Sequence, residues 1–131
     1  MRMAFELQMV AAAALVGLAN ILWLVVLTVP KFGMKWAMGS REDPVAMDGM
    51  IGRVQRSLTN FGETFPIFAA AVVVAYLGGR LGQLSCCGAL AYVVGRALYL
   101  PIYAFGVPVL RTVVWMLALV GIFAILASLV V

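Results

Sequence analysis

Apolar residues run almost unbroken through four stretches of the chain, at about 9–29, 56–77, 84–105 and 109–131, with polar or glycine-rich breaks between them. Each stretch is about 20 residues long, the length a helix needs to cross the hydrocarbon core of a bilayer. The pattern predicts an all-α protein: an integral membrane four-helix bundle with four transmembrane helices in a single domain covering residues 1–131. The first stretch is too long for a signal-peptide core and lacks a small-residue cleavage site. Pro30 and Lys31 are expected to end it. Gly78-Gly79-Arg80-Leu81-Gly82 reads as a tight turn, as does Gly106-Val107-Pro108, with Pro108 favoured in the first turn of the last helix. Pro101 falls near the end of the third helix, where it removes a backbone donor and frees the carbonyl of Ala97.

The one long polar connection is about 31–52. It holds Lys31, Lys35, Arg41, Glu42, Asp43 and Asp48, with Trp36 and Met38 suited to the membrane surface. A connection of this length serves either as a lid or rim of a site or as a solvated linker.

Polar residues inside the apolar stretches change the picture. Arg53, Arg56, Asn60 and Glu63 fall within an arc of about 80° at helical spacing, and Tyr92, Arg96, Tyr99 and Tyr103 within about 60° on the next span. A charge inside a membrane span costs about 2.5–3.5 kcal/mol on insertion scales, so these stripes must face other helices or a wet cavity. An Arg–Glu pair that only holds helices together is the structural alternative to a functional site. Asn20, in the middle of the first span, is expected to hydrogen-bond between helices.

Composition agrees with the pattern. Hydrophobic residues make up 66% of the chain and charged ones only 11%, where a soluble domain has nearer a quarter charged. The +4 net charge is spread over few, scattered basic residues, which argues against a nucleic-acid partner. There is no histidine, and the adjacent Cys86 and Cys87 make a poor metal site, so no metal is expected. Their expected role is packing at the membrane face opposite the polar stripes.

Lysine and arginine are asymmetric about the spans. The first loop and its flanks hold Lys31, Lys35, Arg41, Arg53 and Arg56, and the third loop adds Arg111; the other side has only Arg2 and Arg80. The positive-inside rule then puts both termini away from the cytoplasm and the 31–52 loop inside it. That orientation brings Arg53, Arg56, Asn60 and Glu63, then Arg96, Tyr99 and Tyr103, then Arg111, to one depth in one leaflet. Several arginines beside one carboxylate and one amide suit an anionic ligand that also carries an amine. No residue there has the character of a protein nucleophile, so the nucleophile would arrive with the ligand.

The segment Arg56–Pro66, with Arg56, Asn60, Glu63 and Pro66 in the pattern R-x-x-x-N-x-x-E-x-x-P, resembles the central motif of the MAPEG family, the membrane-associated proteins of eicosanoid and glutathione metabolism. Arg96, Tyr99 and Tyr103, followed by Arg111, resemble its second element. The resemblance covers the whole chain and is nearest the bacterial-type microsomal glutathione transferase and leukotriene-synthase branches. It implies a homotrimer with glutathione bound between subunits. It further implies that Arg56, Asn60, Glu63, Tyr99 and Tyr103 hold the glutathione, with Arg53 as an addition, that Arg96 lines the site, and that Arg111 and Tyr103 face the sulfur as the catalytic pair. Thr64 is a departure, since the leukotriene branch has tyrosine there. Thr112 stands where prostaglandin E synthase has a catalytic serine.

The resemblance implies transfer of glutathione to a hydrophobic electrophile or lipid, or reduction of lipid hydroperoxides. A non-catalytic lipid-binding or scaffold role, as in the family's lipoxygenase-activating protein, is the alternative. A transporter finds little support, because the chain has no internal repeat and no pair of broken spans.

Overall fold

The computed structural model describes residues 2–42 and 44–131; Asp43 of the long connection lies outside the described residues. The elements are α1 (Phe5–Phe32), α2 (Met34–Met38), α3 (Gly49–Leu77), α4 (Gln83–Ala104) and α5 (Pro108–Ser128), with no strand among the described residues. All but α2 are long and apolar enough to cross a membrane.

Three boundaries differ from the sequence reading. Helix α1 carries Pro30 two residues before its end and runs on to Phe32, and the turn waits for Gly33 at φ 90°. Helix α3 starts at Gly49 rather than near Arg56, so its first turn, Gly49 to Gly52, is taken from the stretch that the pattern assigned to the loop. Helix α5 ends at Ser128. The glycine turn between α3 and α4 forms as expected, with Gly79 at φ 65° and the Arg80 N–H reaching back to the Ala75 carbonyl.

Helix α4 is the centre of the bundle and touches α1, α3 and α5, while α1 and α5 do not meet. Its contact with α5 is the most extensive, because glycines let the backbones close up. A Cβ on Gly121 would collide with the Gly88 carbonyl, and one on Gly95 would meet the Val114 carbonyl and Ala118. The apolar core lies where α1, α3, α4 and α5 converge, around Phe68, Val72, Tyr92 and Ile125. The Phe68 and Tyr92 rings stack at 4.0 Å. Large apolar side chains such as Leu15, Val26, Val120 and Phe123 point outward, as a lipid-facing surface requires.

The polar interior is built from few residues. Asn20 donates to the Val54 carbonyl at 3.1 Å and accepts from the Ser57 hydroxyl at 3.0 Å, the interhelical role expected of it. At the opposite end of the bundle the buried Glu6 accepts from the Ser85 hydroxyl at 2.6 Å, tying the first turn of α1 to the first turn of α4. Cys86 and Cys87 beside it are free thiols.

The connection after α1 has structure of its own. Arg41 donates from Nη2 to the Ala37 carbonyl at 2.8 Å and stacks over Trp36, and Lys31 pairs with Asp48 at 3.2 Å. None of its described residues lines the two clefts described next.

Candidate active site

Helices α3, α4 and α5 bring their polar stripes together at the end of the bundle that carries the α4–α5 turn. Tyr103, the next-to-last residue of α4, is the meeting point. Its hydroxyl accepts from Arg56 Nε of α3 at 3.0 Å, and the Arg111 guanidinium of α5 lies 4.5 Å over its ring. Tyr99 packs edge-on to Tyr103 at 5.3 Å. A cation over a tyrosine face is attracted by the ring quadrupole, so Tyr103 holds two guanidiniums near one another without neutralising either.

Two clefts open on either side of Tyr103 and Arg111. The first, about 250 Å³, is lined by Arg53, Arg56, Tyr103, Gly106, Pro108 and Arg111. The second, about 340 Å³, is lined by Asn60, Tyr99, Tyr103, Arg111, Thr112 and Trp115. Lys31–Asp48 is the only ion pair within 4 Å among the described residues, so Arg53, Arg56 and Arg111 face the first cleft with no carboxylate neutralising them. Such a surface attracts an anion with several acceptor oxygens.

Arg96 does not line either cleft. Its side chain is 2% exposed inside the bundle, where Nη1 donates to Asn60 Oδ1 at 2.6 Å, Nη2 reaches the Ser57 carbonyl at 3.4 Å and the guanidinium lies 4.3 Å over the Tyr99 ring. The expectation that Arg96 lines the site therefore becomes a place behind it, through Asn60. Spacing could not show this: 40° separates Tyr92 from Arg96 on the helix, and both point into the core. Glu63 lies on the exposed face of α3, outside both clefts, and forms no ion pair with Arg56. The two are on one face, and that face is open in the single chain.

Thr64 and Tyr92 belong to the core. Their hydroxyls lie 2.9 Å apart in the buried interior, so Thr64 points away from the clefts. Thr112 faces the second cleft with its hydroxyl donated to the Pro108 carbonyl of its own helix at 3.2 Å. Trp115, absent from the sequence-based set, lines the second cleft. It follows Arg111 by four residues and so shares its face of α5, a spacing visible in the sequence.

With this geometry in hand, the family comparison is decisive: the MAPEG family profile matches residues 9–131. The chain belongs to the MAPEG family. No curated protein and no solved structure gives a significant match. Membership together with four apolar helices makes the protein an integral, multi-pass membrane protein, and the family includes glutathione transferases and related members. Among the described residues there is no cluster of metal-ligating side chains. The MAPEG motif residues Arg56 and Asn60 border different clefts, with Tyr103 and Arg111 common to both.

Proposed function

We propose that this MAPEG protein is a membrane-bound glutathione transferase that activates the glutathione thiol as a thiolate and delivers it to a hydrophobic electrophile, or uses it to reduce a lipid hydroperoxide. The observation that carries this reading is the placement of the Arg111 guanidinium over Tyr103 at the junction of the two clefts.

The electrostatics are sufficient. A cysteine-type thiol has a reference pKa of about 8.5, and lowering it by two units requires about 2.7 kcal/mol of preference for the anion. One guanidinium about 4 Å from the sulfur supplies about 4 kcal/mol at an effective dielectric of 20, so no base is required. Arg111 stands in the first turn of α5, where the positive end of the helix dipole acts in the same direction. In this reading the Tyr103 hydroxyl, which accepts from Arg56, donates a hydrogen bond to the thiolate sulfur and keeps its proton. The thiol proton leaves to water, and the thiolate bonds to the electrophilic carbon while the leaving group departs with its electron pair, or while an epoxide ring opens and its oxygen takes a proton from water.

In this reading Arg56 pairs with a carboxylate of the thiol peptide, and Asn60 and Tyr99 meet its backbone. Glu63 takes the amine. Glu63 and Arg56 are exposed in one chain, and charges on a lipid-facing surface are costly, so a neighbouring subunit of a homotrimer is assigned to cover that face and close the site. Both termini lie away from the cytoplasm, with the 31–52 connection inside.

A second reading, lipid binding without catalysis, is favoured by one feature. An apolar groove of about 410 Å³ between α3 and α5, lined by Pro66, Ile67, Ala70, Val74, Leu126 and Leu129, has the character of an acyl-chain seat. Conjugation of glutathione to a panel of electrophiles by the purified protein, with native mass spectrometry in mild detergent for the trimer, separates the two. Glutathione bound without turnover against any electrophile or hydroperoxide would leave the lipid-binding reading.

A further inference from the structure

Helix α4 ends in a Schellman motif. The Gly106 N–H bonds the Tyr103 carbonyl at 3.0 Å and the Val107 N–H bonds the Ile102 carbonyl at 3.1 Å, with Gly106 at φ 76°. This arrangement leaves the Ala104 carbonyl without a backbone donor. The residue four positions on, whose N–H would reach it in a continuing helix, is Pro108, which has none. Ala104 is fully buried, so its orphaned acceptor is costly. Arg53 of α3 fills the gap: its Nε donates to the Ala104 carbonyl at 2.8 Å. The Arg53 side chain lies close over Gly106, where an added Cβ would stand 3.7 Å from Nε and 3.8 Å from Cζ.

The segment held in this way is the short turn between Tyr103 and Arg111. We propose that Arg53 is a positioning residue: its bond to the Ala104 carbonyl ties α3 to the α4–α5 turn and so sets the separation of Tyr103 and Arg111. This differs from a role as one more charge for the ligand. It rests on the proposed thiol activation for its functional consequence, while the tie itself does not.

Two substitutions separate the roles. In glutamine, Nε2 occupies the place of arginine Nε along the side chain, so Arg53→Gln keeps the donor and removes the charge. Arg53→Met has the same length and keeps neither. Amide hydrogen exchange in detergent reads the tie directly. Arg53→Met should speed exchange at Gly106, Val107 and Arg111 by about tenfold, the worth of one hydrogen bond from a charged group, and Arg53→Gln should restore most of the protection. The ultraviolet absorbance of bound glutathione thiolate against pH reads the consequence. If Arg111 drifts by about 2 Å from the sulfur, about a third of its attraction is lost and the thiol midpoint rises by about one pH unit. Arg53→Met should show that rise with a smaller change in glutathione affinity, and Arg53→Gln should reverse most of it.

Unchanged exchange in Arg53→Met overturns the tie. Equal loss of affinity in both variants, with an unshifted midpoint, makes Arg53 a ligand charge and overturns the positioning role. If the unsubstituted protein shows no thiolate at all, the transferase reading fails. The exchange measurement then still decides whether Arg53 holds the turn.

Discussion

Arg96 Nη1 donates to Asn60 Oδ1 at 2.6 Å, and that bond decides which end of the Asn60 carboxamide faces the cleft. With the oxygen held inward by a buried guanidinium, the Nδ2 amino group is the end presented outward. Asn60 is thereby a donor to whatever binds, which suits a carbonyl or carboxylate of a thiol peptide.

Arg96→Met should therefore lower glutathione affinity by about tenfold, or about 1.4 kcal/mol, because the carboxamide loses its orientation. The same change should leave the thermal midpoint where it is or raise it. Arg96 is a buried cation with no carboxylate within 4 Å among the described residues, so the desolvation cost that an apolar side chain removes offsets the bonds lost to Asn60 and the Ser57 carbonyl. Calorimetric titration and thermal unfolding in detergent measure the two effects. A fall in stability with unchanged affinity would make Arg96 purely structural.

Arg111→Ala tests thiol activation. Glutathione should still bind, while the thiolate absorbance disappears and turnover falls by a factor on the order of 10² to 10³, the scale of losing one preorganised electrostatic contact. Undiminished absorbance and turnover would show that Arg111 only anchors the helix end at the lipid headgroups.

Glu63→Gln keeps shape and removes charge. If Glu63 receives the amine of the ligand, glutathione should bind about 3–5 kcal/mol more weakly, the cost of leaving one partner of a buried charge pair alone. An analogue lacking the amine should bind both proteins alike. Equal losses for the two ligands would assign Glu63 to subunit packing instead.

Thr64→Val should destabilise the fold by about 1–3 kcal/mol without touching glutathione affinity, since the substitution strips a partner from the buried Tyr92 hydroxyl. Combined with Tyr92→Phe, which removes the other hydroxyl, most of that loss should return. A weakened affinity for glutathione in Thr64→Val would place this residue at the ligand after all.

The four spans, their order and the glycine turns were legible in the chain alone, because the hydrocarbon core demands about 20 apolar residues per helix and leaves few other ways to satisfy a backbone. So were the stripes of Arg53–Glu63 and Tyr92–Tyr103, because helical periodicity converts spacing into faces. Periodicity names a face but not what the face meets. Tyr92 and Arg96 share a stripe with Tyr99 and Tyr103, yet only the last two reach a cleft, since depth along the bundle and the closeness of α3 decide which side chains are covered. The same limit hid Glu6, whose partner Ser85 is 79 residues away. It also hid the second life of Arg53, whose acceptor is a backbone carbonyl orphaned by Pro108. Hydrophobic pattern and helix period act along the chain and can be read from it; hydrogen bonds between helices depend on rotation and axial offset, which only the packed bundle sets.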